Sequence, residues 1–157
     1  MAAVDKLRVG TRGSPLALTQ TNQVISILKE HHAVLCKNGA VDTIVIKTTG
    51  DREQSRLLSE IGGKGLFTKE LDEAMLRNEI DIAIHSMKDM PTFMPDGIVL
   101  HAITERIDPR DAFISTKAKT IAELPQGAVV GTASLRRKSQ ILNMRPDLKV
   151  VPFRGNV

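Results

Sequence analysis

Two guanidinium groups in the first turn of a helix are unfavourable unless something negative meets them. Arg136 and Arg137 stand in that position, because Ser134 is a helix-capping residue type and the residues that follow it read as a helix over 135–144. The positive end of a helix dipole disfavours each cation by roughly 0.3–1 kcal/mol, and a segment selected for stability alone would carry acids there. An anion that neutralises both the helix end and the guanidinium groups resolves the conflict, and the guanidinium fork suits planar carboxylates or phosphates. Six basic residues (Arg136, Arg137, Lys138, Arg145, Lys149, Arg154) fall between Leu135 and Val157, against the one acid Asp147.

A second stretch has the same design. Val9-Gly10-Thr11 leads through Arg12-Gly13 to Ser14, as Val130-Gly131-Thr132 leads through Ala133 to Ser134. Each reads as a strand, a tight turn with a small residue, a hydroxyl cap and a helix with free backbone N–H groups, which is the geometry of an anion cradle. Arg12 occupies the turn that corresponds to Arg136 and Arg137. Arg154-Gly155-Asn156 adds a guanidinium after the last strand, and Lys64 lies in the glycine-rich run Gly62-Gly63-Lys64-Gly65. A third tip, Ile80-Asp81-Ile82-Ala83-Ile84-His85-Ser86-Met87-Lys88-Asp89-Met90-Pro91, is an apolar strand that ends on adjacent Lys88 and Asp89. In open α/β sheets ligands meet the carboxyl ends of the strands, where these two residues fall. Among so many cations Asp89 binds no anion, but it can hold N–H groups and stabilise a developing positive charge.

The elements that must position these groups alternate between strand and helix, which implies a largely parallel sheet. Strands are expected over 7–11, 41–49, 80–84 and 98–103, with helices over 16–30 and 66–78. Ser14 as cap and Pro15 as first helical residue give the first helix a strong start signal. The polar run 50–65 is expected to be a mobile lid, with Lys64 facing the ligand. Phe67 and Met75 are expected in the core of the second helix. The charged, proline-broken run 104–111 divides the chain into a first lobe (1–104), a hinge (105–111) and a partial second lobe (112–157). In the second lobe, 112–115 reads as a strand, Thr120-Ile121-Ala122-Glu123 as the capping box of a short helix, and 128–132 and 149–153 as strands.

Composition limits the remaining possibilities. The chain has 157 residues, 41% apolar and 25% charged, with net charge +4, an ordinary soluble balance that favours anionic partners. With no Trp or Tyr and four Phe, stacking platforms for nucleic acid are scarce, and neither nucleic acid nor membrane is expected as a partner. Cys36 is the single cysteine, so no internal disulfide forms; with no signal-peptide pattern at the start, the expected compartment is the cytoplasm. Adjacent His31 and His32 lack metal-ligand spacing, and His85 and His101, on strands, are core or rim residues; no metal site is expected.

Six motifs together resemble the hydroxymethylbilane synthase (porphobilinogen deaminase) family. They are Thr11-Arg12-Gly13-Ser14-Pro15-Leu16-Ala17-Leu18; Gly62-Gly63-Lys64-Gly65-Leu66-Phe67 with Lys69-Glu70-Leu71; Asp81 to Pro91; Asp108-Pro109-Arg110-Asp111-Ala112-Phe113; Val130 to Arg137; and Arg145-Pro146-Asp147-Leu148 through to Val157. They stand in the family's order along nearly the whole chain. The resemblance implies a monomeric transferase of porphyrin and heme biosynthesis that joins porphobilinogen units into the linear tetrapyrrole hydroxymethylbilane with release of ammonia. It implies a dipyrromethane cofactor bonded to a cysteine, and an α/β fold of two lobes like periplasmic binding proteins, with mostly parallel sheets flanked by helices and a small third α+β domain. By motif position, Asp89 is the catalytic residue, contacting pyrrole N–H groups. Arg12, Ser14, Lys88, Thr132, Ser134, Arg136, Arg137 and Arg154 hold cofactor and substrate carboxylates alongside Asp89, and Arg12 and Lys64 meet substrate. The family's chain is about twice this length. The second lobe is therefore expected to be incomplete and the third domain absent, and Cys36, which matches no attachment site, is expected to be an inert, partly buried thiol. On that basis the 157-residue chain by itself is expected to be inactive. The alternative is a non-enzymatic two-lobed anion-binding module, which accounts for the cradles but not for Asp89.

Overall fold

Strand β1 (Leu7–Thr11) runs between β2 (Val41–Val45) and β3 (Ile82–Ala83) in a parallel sheet of order β2-β1-β3. This is seen in a computed structural model that describes residues 6–52 and 65–153. The register pairs Leu7 with Val41 through Thr11 with Val45 on one side, and Val9 with Ile82 and Gly10 with Ala83 on the other. Central placement buries Val9 and Thr11 completely. β2, paired on one side only among the described residues, keeps an alternating half-buried pattern.

Helix α1 (Pro15–His31) begins where its sequence signals lie: the Ser14 hydroxyl accepts from the Ala17 N–H at 3.2 Å, with Pro15 as first residue. The buried Thr21 of α1 places its hydroxyl 2.7 Å from that of Thr11, fixing the helix against the end of β1. A single helical turn, α2 (Thr49–Arg52), follows β2, and α3 (Lys69–Leu76) precedes β3. Leu71 and Ala74 of α3, with Val9 and Ile80, are the most completely buried apolar residues here.

Farther along, β4 (Val129–Gly131) pairs in parallel with β5 (Lys149–Val151), and α4 (Leu135–Met144) connects them. Leu124, Ile141 and Leu148 form a buried cluster, with Phe113, Ile121, Val130 and Val150 packed against it. The described residues divide into two compact units, within Met1–Thr104 and within Glu105–Asn156. The protein is thus a mixed α/β chain with parallel sheets and helices. No helix of the described residues is long and apolar enough to cross a membrane.

Several elements differ from the sequence expectation. The expected strand 41–49 stops at Val45, and its last residues turn into α2. The helix expected from 66 starts at Lys69, after a turn at Gly65 whose φ is +79°. Segments 98–103 and 112–115 are apolar enough for strands but lie in no ladder, and Val99, Ile103 and Ile114 are 74%, 69% and 91% exposed. β propensity without a neighbouring strand to pair with leaves irregular chain. Thr120–Glu123 forms a turn and no helix; its Glu123 carboxylate accepts from the Lys119 N–H at 3.0 Å, one residue short of the Thr120 N–H that a capping box uses. Cys36 is exposed, not partly buried. His101 lies in irregular chain, and His31 and His32 are exposed.

Candidate functional site

Arg12, at the turn after β1, is the centre of the first unit's polar cluster. Its Nε lies 3.2 Å from both carboxylate oxygens of Asp51, and its Nη1 lies 3.4 Å from Asp89 Oδ2. Its guanidinium carbon sits 4.1 Å from the centre of the Phe67 ring, a cation–π contact. All three charged side chains are largely enclosed, Arg12 and Asp89 at 17% exposure and Asp51 at 20%.

Asp89 reaches this place through a 3-10 turn, Met87–Asp89, which follows the carboxyl end of β3. The turn is closed by Asp89 N–H donating to Ser86 C=O at 2.9 Å, and the Ser86 hydroxyl is tied to Gln20 of α1 at 2.6 Å. Lys88, its neighbour, is exposed. His85 is half-buried, with its Nε2 enclosed and unpartnered among the described residues. Burial pushes its imidazole below the usual 6.5; the Asp89 charge opposes that shift and the Arg12 charge adds to it.

The sequence pattern does not single out Asp51 and presents Asp89 as the acid among the cations. The structure corrects this. Thr48-Thr49-Gly50-Asp51 makes the carboxylate half of a capping box at α2: Asp51 Oδ2 accepts from the Thr48 N–H at 3.2 Å and from the Thr48 hydroxyl at 2.8 Å. Burial alone raises the Asp51 carboxyl, but the hydrogen bonds from Arg12 and Thr48 outweigh it and hold the group below the usual range. Gly50 and Asp51, placed by sequence in a lid, are therefore part of an ordered turn. A Cβ on Gly50 would overlap the Phe67 ring, so the glycine lets this turn lie against the ring where it stands. Phe67 itself is half-buried and serves as a face for Arg12, not as a core residue. Lys64 and the remainder of the expected lid, 53–64, lie outside the described residues, as does Arg154.

The second unit holds Thr132, Ser134, Arg136 and Arg137. The Ser134 hydroxyl caps α4 by accepting from the Arg137 N–H at 3.3 Å, and the Thr132 hydroxyl accepts from the Ser134 N–H at 3.2 Å. Both hydroxyls thus have structural duties at the helix start. The two arginines meet an anion from their own chain: Asp111 accepts from Arg136 Nη2 and from Arg137 Nε, both at 2.9 Å, and lies 2.8 Å from Arg137 Nη2 as an ion pair. These contacts, Arg137 first, hold the Asp111 carboxyl below the usual carboxylate range. A carboxylate of the chain itself therefore meets both arginines, whose side chains stay 58% and 49% exposed. Arg145 is different: it binds Asp147 and the carbonyls of Ile121, Ala122 and Leu124, a wholly structural arrangement. No group of three or more His, Cys, Asp or Glu suited to a metal occurs among the described residues.

The chain is a mixed α/β protein with parallel sheets, and guanidinium groups stand where its strands turn into helices. The family model described as "Porphobilinogen deaminase, dipyromethane cofactor binding domain" matches residues 7–157. The chain belongs to the porphobilinogen deaminase family. It is 57% identical over 156 residues to a chloroplastic porphobilinogen deaminase of Oryza sativa subsp. japonica, covering 99% of this chain and 44% of that protein. It is 56% identical over 153 residues to a porphobilinogen deaminase of Paracoccus denitrificans, covering 98% of this chain and 48% of that protein. The chain thus spans less than half the length of these curated relatives.

Proposed function

We propose that this chain is the cofactor- and substrate-binding part of a porphobilinogen deaminase, a cytoplasmic, monomeric transferase that links porphobilinogen units into hydroxymethylbilane and releases ammonia. The observation that carries this reading is the carboxylate of Asp89, largely enclosed beside Arg12 at the carboxyl end of a parallel sheet. A simple anion receptor has no use for a carboxylate there. A pyrrole-polymerising site does, because it must hold N–H groups and carry positive charge as the amine departs. In this reading the two units belong to a two-lobed fold like periplasmic binding proteins.

The residues present fit a dipyrromethane group. Pyrroles with acetate and propionate arms need guanidinium partners for the arms and an acceptor for the ring N–H groups, and the chain supplies Arg12, Arg136 and Arg137 for the first and Asp89 for the second. Ser14, Thr132, Ser134, Lys88 and Arg154 complete the proposed carboxylate-binding set, with Lys64 meeting substrate. When bound, the cofactor supplies the primer on which the chain of pyrroles grows, and its covalent anchor is a cysteine of a further domain, not Cys36. Asp89 accepts hydrogen bonds from ring N–H groups and offsets positive charge, Arg12 holds Asp89 in place, and the Phe67 ring lies against the Arg12 guanidinium.

An enzyme of full family length that carries this sequence tests the proposal. Asp89→Asn keeps the shape and removes the charge, and tetrapyrrole formation should fall by about two orders of magnitude or more, as when a single stabilising group is lost from other active sites. Near-normal hydroxymethylbilane formation in that variant would overturn the role of Asp89. Ligand binding without turnover in the unmodified enzyme would favour an anion-binding module.

A further inference from the structure

We infer that Asp111 is a positioning residue, one that fixes Arg136 and Arg137 side by side as a prepared receptor for a ligand carboxylate. Two guanidinium groups in one helical turn repel each other, and the helix end beneath them repels both. Asp111 answers this by bridging them, with Oδ1 accepting from Arg137 Nε at 2.9 Å and Oδ2 from Arg136 Nη2 at 2.9 Å. Gln140 holds the other arm of Arg136, accepting from Nη1 at 3.1 Å.

The donors that this bridge does not use distinguish it from a mere occupant of the anion site. Among the described residues, no hydrogen bond is made by Arg136 Nε or Arg137 Nη1. Two cations against one carboxylate also leave the group positive, so it still attracts an anion. The first unit repeats the arrangement independently: Asp51 takes the Nε side of Arg12 and leaves Nη1 to Asp89. A chain carboxylate on the strand-to-helix arginine is thus a recurrent feature of this fold, and long flexible side chains gain affinity when they are ordered before a ligand arrives.

The inference rests on the reading that Arg136 and Arg137 bind ligand carboxylates, and the experiment separates the two. In the full-length enzyme, Asp111→Asn, Asp111→Glu and Arg136→Gln are compared for KM towards porphobilinogen, kcat and thermal melting. Asp111→Asn is expected to raise KM about tenfold with little change in kcat or melting temperature, as expected for lost preorganisation. Asp111→Glu, which keeps the charge, should regain most of that loss. An unchanged or lower KM in Asp111→Asn, or no recovery in Asp111→Glu, overturns the inference. If Arg136→Gln raises KM while Asp111→Asn does not, only the role of Asp111 fails; if neither does, the carboxylate reading fails with it. Should Asp111→Asn not fold, the Arg137 side-chain Nε–H resonance in the unmodified enzyme decides. A resolved, exchange-protected signal supports a fixed fork, and a rapidly averaged one overturns it.

Discussion

Arg12 touches two carboxylates and an aromatic ring, and the uneven distances give the partners different roles. Asp51, at 3.2 Å from Nε and capped by Thr48, anchors the guanidinium, whereas Asp89, at 3.4 Å from Nη1, keeps more of its hydrogen-bonding capacity for something else. His85 lies close enough to feel both Asp89 and Arg12, and its burial favours the neutral imidazole. A sign follows for stability. Below the ordinary value of 6.5 the unfolded chain takes up a proton on this histidine that the folded chain refuses, so stability falls as pH drops through 6.5 towards the lower native value. Urea midpoints compared at about pH 7.5 and about pH 5.5 should show this loss, and His85→Gln should flatten it. An equally steep dependence in His85→Gln would assign the effect to other groups.

Helix starts carry most of the site, and each has a local device whose removal can be measured. Ser14 caps α1 through Ala17, so Ser14→Ala should cost about 1 kcal/mol, read as a shift of the urea midpoint at constant slope. At α2 the device is contact, not a cap alone. Gly50→Ala would push a methyl group into the Phe67 ring, so this change should displace the ring from Arg12 and lower activity as well as stability. A Gly50→Ala enzyme with unaltered kcat and melting temperature would show that the ring can move without consequence. The two capping-box sequences make a contrast. Thr48–Asp51 forms because Arg12 and Glu70 hold that turn from outside, Glu70 accepting from the Thr49 N–H at 2.8 Å. Thr120–Glu123 has the same pattern, but the chain there closes a turn and stops.

At the scale of the molecule, few of the described residues are fully buried. Leu71 is completely enclosed, and Leu71→Ala should cost about 2–5 kcal/mol, the range for truncating a buried leucine, as measured by urea unfolding. A loss below about 1 kcal/mol would mean that the site collapses around the smaller side chain. The second unit has its own cluster at Leu124, Ile141 and Leu148, which positions α4 and with it Arg136 and Arg137. Many apolar residues stay exposed, among them Phe93 at 84% and Ile114 at 91%, so strand-like composition alone was a poor guide to where sheets form.

By itself the sequence determined the elements whose signals are local. β1 and α4 fall where hydrophobic alternation and the Ser134 cap put them, and α1 starts one residue earlier than its pattern alone suggested, at the proline after Ser14. Motif order also identified the family, and the residue types at the strand-to-helix turns marked the guanidinium groups. Tertiary structure alone decided which charges meet. Arg12 and Asp51 are 39 positions apart, Arg12 and Asp89 are 77 apart, and Arg136 and Asp111 are 25 apart. No periodicity links residues at such distances. The pairing of Arg12 with Asp51 and Asp89 follows from parallel strands that bring distant turns to one end of a sheet, and from enclosure that makes an unpaired charge there costly; Arg136 and Asp111 meet through the fold of their own unit and stay exposed.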